Sequence, residues 1–170
     1  MKQDALSRAA ETNSAAARPR HANENIDFGP LEDWVGFHLR LAQTASFQAF
    51  VHESRSVELS PGRFATLMLI GRNPGISQTV LAAANGRDKS TLTPILEDLE
   101  RRGLVIREKL KTDRRSYQLN LTEAGRKMLD QLTVCAKRHD GNLDRIIGPK
   151  DRAKFLRILQ KIAAEIGRDN

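Results

Sequence analysis

The sequence predicts a mainly α-helical fold that carries one small β-hairpin. Three observations lead there. Apolar residues recur at spacings of three and four over most of the chain, the period of a helix packed on one side. That period changes to two only between about residues 105 and 121. The punctuation between periodic segments (Ser60-Pro61, Asn73-Pro74-Gly75, Asn85-Gly86, Gly103, Gly148-Pro149) is that of helix starts, helix ends and tight turns.

Composition bounds the function. With 170 residues, 39% of them hydrophobic, the chain has material for one ordinary core, and with only 5% aromatic that core must be aliphatic. No run approaches 18 apolar residues, so neither a transmembrane helix nor a membrane partner is expected. The first basic residue is followed by no apolar block, which argues against a secretory signal. A lone cysteine, Cys135, makes no internal disulfide and points to the cytoplasm. The 28 Lys and Arg exceed the 21 Asp and Glu, giving +7 and a pI near 10.0, which suits a polyanionic partner. The charge is also localised. Residues 101–115 hold seven basic and two acidic residues, whereas residues 26–86 hold four and five. A concentrated basic strip is a stronger nucleic-acid signal than a diffuse excess.

Each element follows from its own pattern. Residues 1–26 lack apolar periodicity and read as a disordered tail. Residues 27–58 hold a helix expected from Phe28 to about Glu53, with Leu31, Trp34, Val35, His38 and Leu41 on one stripe and Phe37, Phe47, Phe50 and Val51 off it. A helix apolar on more than one face needs two partners, and a second copy of the chain is the simplest second one. Ser60-Pro61 opens the next helix as cap and first position, with Leu59 stapled to Phe64. Ser77 caps a short helix to about Ala84 that buries Val80 and Leu81. After the Asn85-Gly86 turn, Asp88 or Ser90 caps a helix whose Leu92, Ile95, Leu96 and Leu99 follow the helical template, and Gly103 ends it. Two alternating segments then flank the polar tip 110–115. Thr122 caps a helix to about Asp140, interrupted at Gly141, and a last helix runs from about Lys150 to Ile166 with Phe155, Ile158, Leu159, Ile162 and Ile166 on one side.

Helix, turn, helix and a cationic hairpin make a winged helix-turn-helix over residues 59–121. The major groove accepts one α-helix, whose N-terminal side chains reach base edges. Lys89, Ser90, Thr91 and Thr93 stand on that face of the second helix. The hairpin tip would lie near the minor groove, where arginine is favoured in narrow A·T-rich tracts. Lys111, Arg114 and Arg115 are placed for that, and Asp113 is expected to stabilise the wing by capping its loop or holding an arginine.

Residues from about 60 to 129 resemble the MarR family of bacterial transcriptional regulators. The resemblance is carried by Ser90-Thr91-Leu92-Thr93, by Leu99-Glu100-Arg101-Arg102-Gly103-Leu104-Val105, by Asp113-Arg114-Arg115 and by Leu121-Thr122-Glu123-Ala124-Gly125. It implies a winged helix-turn-helix flanked by N- and C-terminal dimerisation helices, the latter within residues 122–170. It further implies a homodimer on a pseudo-palindromic double-stranded DNA operator, and control by a small ligand or by oxidation. Asp113 and Arg115 match the family's wing residues. Pro94 departs from many members, because it removes a helix N–H and bends or tightens the first turn. Thr-Leu-Thr-Pro resembles a branch that includes organic-peroxide sensors, yet residues 1–60 lack the N-terminal cysteine those sensors share.

The resemblance also implies an effector pocket for anionic aromatics or lipophiles between the dimer helices and the DNA-binding lobe. Trp34, Phe37, His38 and Arg40, with Arg63 and Phe64, offer an aromatic floor and a cationic clamp for an aromatic carboxylate or its acyl thioester. Aromatics at helical spacing are also ordinary packing residues. Cys135 and His139 are four apart, but two ligands are too few for a zinc site. No phosphate loop, nucleophile elbow or HExxH motif appears, so neither enzyme activity nor a cofactor is expected. The expected function is a ligand-released repressor. The alternatives are a winged-helix protein-interaction module and a redox-responsive repressor acting through Cys135.

Overall fold

The computed structural model describes residues 26–55, 57, 59–109 and 117–166. The chain divides into two units, residues 1–41 and 42–170.

In the first unit, a 3-10 turn at Gly29–Asp33 precedes Trp34, whose extended backbone (φ −87°, ψ 117°) interrupts helical geometry. The first α-helix, α1, therefore starts at Val35, not at Phe28, and runs to Glu53, its residues from Ala42 onward belonging to the second unit. Pro30 explains the late start. It is compatible with a first turn, but it restricts Gly29 before it and removes an amide from any longer helix.

The second unit contains α2 (Pro61–Arg72), β1 (Ile76–Ser77), α3 (Gln78–Ala84), α4 (Lys89–Arg101), β2 (Val105–Lys109), β3 (Tyr117–Leu121), α5 (Glu123–Ile147) and α6 (Arg152–Ile166). The hairpin pairs Val105 with Leu121 through to Lys109 with Tyr117. A third strand adds to it: β1 pairs with β3, Ile76 opposite Leu119, so the sheet order is β1-β3-β2. At two residues, β1 is too short to show alternation. The core is aliphatic as expected, with Leu67, Ile70, Leu81, Leu92, Leu96, Leu99, Leu119 and Leu132 at 0–1% exposure and Phe64 packed against them. Burying each such leucine contributes about 1.5–3 kcal/mol.

Three expectations change. Val80 faces solvent (58% exposed), because α3 has only seven residues and turns Leu81 and Ala82 inward instead. α5 continues through Gly141 to Ile147 and stops at Gly148, which takes φ +82° ahead of Pro149. One exposed glycine weakens a 25-residue helix by about 1 kcal/mol but does not break it. Ser60 stands at the start of α2 without making a side-chain cap; Arg63 Nη1 donates to its Oγ instead (3.4 Å).

The hairpin root is fixed to α5 by direct backbone contact. Thr122 N–H donates to Leu104 O (3.1 Å), Thr122 Oγ1 donates to Gly103 O (2.6 Å) and accepts from Gly125 N–H (2.9 Å). A Cβ at Gly125 would lie 1.9 Å from Leu104 O, so only glycine fits there.

Candidate nucleic-acid interface and effector cleft

α4 is the helix that the sequence assigns to the major groove. Asp88 is its N-cap: Oδ1 accepts from Thr91 N–H (2.7 Å) and from Ser90 Oγ (2.7 Å). The Ser90 hydroxyl and then the Thr91 amide lower the Asp88 pKa from 3.8 to about 2, so the cap is ionised at any physiological pH. The opposite face of α4 is anchored by Leu92, Leu96 and Leu99.

The four expected DNA-facing residues of this helix divide into two kinds. Lys89, Ser90 and Thr91 are exposed. Thr93 is half-buried and engaged: its hydroxyl donates to Lys89 O (2.8 Å) and accepts from Gln78 Nε2 (2.8 Å). Gln78 opens α3, so this bond ties the two helices of the helix-turn-helix together. Sequence reasoning missed Gln78, since one glutamine after a capping serine carries no pattern. Pro94 lies inside α4 without terminating it. It supplies no amide to the Ser90 carbonyl, while the neighbouring Lys89 carbonyl gains the Thr93 hydroxyl. Lys111, Asp113, Arg114 and Arg115 lie outside the described residues.

Part of the basic strip has an internal task. Asp98, 8% exposed, receives Arg63 Nε at 2.7 Å, Arg102 Nε at 3.1 Å and Arg101 Nη2. Burial alone would raise its pKa, but the hydrogen bond and charge of Arg63, with Arg102, hold it below the usual carboxylate range. Arg107 makes a two-pronged pair with Glu100 (3.1 and 3.0 Å). Lys109 lies over the Tyr117 ring at 5.9 Å.

The expected effector residues are placed as follows. In the first unit Phe37 gathers its neighbours: Phe28 and His38 rings lie 5.9 and 5.8 Å away, and the Arg40 guanidinium sits 5.2 Å from its centroid. His38 Nε2 is within 2.6 Å of Glu32 O, and Trp34 is 59% exposed. In the second unit Arg63 is turned to Asp98, and Phe64 stacks on Phe50 at 5.7 Å. Phe50 also meets His139 edge-on at 5.8 Å, and His139 Nε2 pairs with Ser46 Oγ (3.0 Å). Cys135 is half-buried. Among the described residues no group of three His, Cys, Asp or Glu side chains is arranged to hold a metal. No described helix is long and apolar enough to cross a membrane.

A cleft of about 440 Å³ lies where the end of α1, the start of α2 and the end of α4 meet. It is lined by Val51, Ser54, Arg55, Leu59, Ser60, Arg63 and Arg102.

The MarR family model matches residues 59–117, from the residue before the α2 cap to the first residue of β3. A transcriptional regulatory protein for the hcr operon of Thauera aromatica is 32% identical over 135 residues, which cover 79% of this chain and 81% of that one. The chain belongs to the MarR family. As a MarR-family protein it is a winged-helix transcriptional regulator, and its small antiparallel sheet and helix order are those of solved family members. The repressor CouR bound to a 23-mer DNA duplex superposes with a TM-score of 0.75 at 35% identity, over 81% of this chain and 98% of that one. CouR bound to p-coumaroyl-CoA gives 0.75 at 32% identity, over 81% and 97%.

Proposed function

We propose that this MarR-family regulator is a homodimeric cytoplasmic repressor, released from a pseudo-palindromic operator by a small anionic aromatic or lipophilic effector. An aromatic acid or its acyl thioester is the expected class. The observation that carries the reading is the recognition helix: three aliphatic residues fix its inner face while Lys89, Ser90 and Thr91 stand exposed at an ion-capped N-terminus. Two copies related by a two-fold axis would place these helices about 34–36 Å apart, in successive major grooves. The apolar face of α6 supports a second copy, since Phe155, Ile158 and Ile166 are 42%, 46% and 63% exposed in the single chain. CouR, similar over most of both chains, is described in DNA-bound and p-coumaroyl-CoA-bound forms, which supports the effector class.

The test is release. An operator is selected from a randomised duplex pool, and binding is followed by fluorescence anisotropy while p-coumaroyl-CoA or 4-hydroxycinnamate is titrated. At least one is expected to weaken binding by tenfold or more, a coupling of about 1.4 kcal/mol. Equal operator affinity with and without saturating effector refutes the reading.

A further inference from the structure

We infer that Glu97 is a specificity-determining residue of the operator contact, its carboxylate selecting cytosine in the major groove. The inference rests on the operator-binding reading above and adds which base one side chain reads.

Position makes the case first. Leu92, Leu96 and Leu99 turn one side of α4 into the core. Ser90, Pro94 and Glu97 follow one another at spacings of four and three on the opposite side, and all three are exposed. From Ser90 to Glu97 the helix rises about 10 Å. Side chains spread over roughly seven residues of one helix reach successive bases in a major groove. Along this stripe Ser90 gives its hydroxyl proton to Asp88, and Pro94 has no polar side chain. Glu97 carries the stripe's uncommitted charge.

Partners make the case second. Each of the other acids described between residues 88 and 123 is engaged. Asp88 caps α4, Asp98 takes Arg63, Arg101 and Arg102, and Glu100 takes Arg107. Glu108 accepts from Asn120 Nδ2 at 2.9 Å, and Glu123 pairs with Arg126 and Lys127. Among the described residues Glu97 has neither an ion pair nor a side-chain hydrogen bond. Arg101 stands four residues on, where a helical ion pair would form, but is turned to Asp98 instead. An unneutralised carboxylate on the face that approaches phosphate weakens DNA binding unless a base offers it a donor.

Chemistry chooses the base. A carboxylate only accepts hydrogen bonds. In the major groove guanine offers N7 and O6 and thymine O4, all acceptors, so both repel it. Adenine sets its N6 donor beside the N7 acceptor, whereas cytosine presents its N4 donor with no acceptor of its own on that edge. Cytosine is therefore the base that Glu97 holds without opposing charge. The same side chain discriminates at one base pair and lowers affinity for duplex lacking cytosine there.

The experiment uses the full chain and the operator selected from a randomised duplex pool. Fluorescence anisotropy follows binding to a set of duplexes in which each base pair of the half-site is changed in turn, symmetrically in both halves. The proteins are wild type, Glu97→Ala, Glu97→Gln and, as a charge control, Asp130→Ala, an exposed acid on α5. Wild type is expected to prefer cytosine at one half-site position by about tenfold. Glu97→Ala should lose that preference, keep the ranking elsewhere and bind non-operator duplex more tightly. Glu97→Gln should move the preference to adenine, whose N6 and N7 a carboxamide matches. Asp130→Ala should behave as wild type. Because Glu97→Gln is isosteric, it keeps the test sound if Glu97→Ala is unstable. A cytosine preference retained by both variants overturns the assignment. So does a loss spread evenly over every position, which marks a role in holding α4 and not in reading a base. A wild type that selects no operator overturns the function reading itself, and any base contact with it.

Discussion

A hydroxyl that gives its proton to one backbone carbonyl and accepts from a glutamine has little left for a base. Thr93 is in that position and Thr91 is not. Thr91→Ala is therefore expected to change the ranking of operator variants in a binding competition. Thr93→Ala is expected to leave that ranking alone and to lower stability by about 1 kcal/mol in urea denaturation. The cap residue carries a pH signature. Because the Asp88 carboxylate titrates at about 2 in the folded chain against 3.8 ordinarily, its contribution is fully present above about pH 4 and is lost as pH falls towards 2. Asp88→Asn keeps a capping side chain without the titration, so its acid-unfolding curve should be flatter between those values than that of wild type. At this scale the sequence was legible where a side chain meets its own helix. Asp88 was one of two caps that its position allowed, and Leu92, Leu96 and Leu99 were placed by period alone. It was not legible where partners are distant in sequence. The +5 of residues 101–115 counts Arg101, Arg102 and Arg107 as available, yet Asp98 and Glu100, just before the strip, engage all three.

Among the elements, α4 could be read from its cap and its aliphatic spacing, because both signals agreed, and α2 from Pro61 at its first position although Ser60 makes no side-chain cap. The disagreements arose where one residue type has two meanings. Glycine ends a helix only when the backbone turns left-handed, as at Gly148 (φ +82°); Gly141 stays helical with open space around its Cα. Gly141→Ala is expected to stabilise the protein by about 0.5–1 kcal/mol, read as a raised denaturation midpoint with unchanged slope. Gly125→Ala should act in the opposite sense. Its methyl would meet a carbonyl oxygen at 1.9 Å, and a loss of about 3 kcal/mol is expected in the same assay. β1 escaped detection for a different reason: two residues cannot display a period, and their pairing depends on β3, some forty positions later.

For the whole molecule, the apolar face of α6 is a feature that one chain leaves uncovered, and its helical period made it visible in sequence. Ile158→Glu puts a charge on that face. It is expected to shift light-scattering mass towards the monomer and to weaken operator binding in step, since half-sites held separately lose their shared advantage. The logarithm of operator affinity should fall linearly with that of salt concentration, and Arg115→Ala should reduce the slope by about one. The contact at the wing root bears on how such a dimer would change shape. α5 touches the Leu104 carbonyl with bare backbone, and Thr122 is bonded to both Gly103 and Leu104. At Gly125 no rotamer stands between them to absorb movement. A swing of the long helix would thereby reach the hairpin root directly, its fulcrum a single missing methyl group.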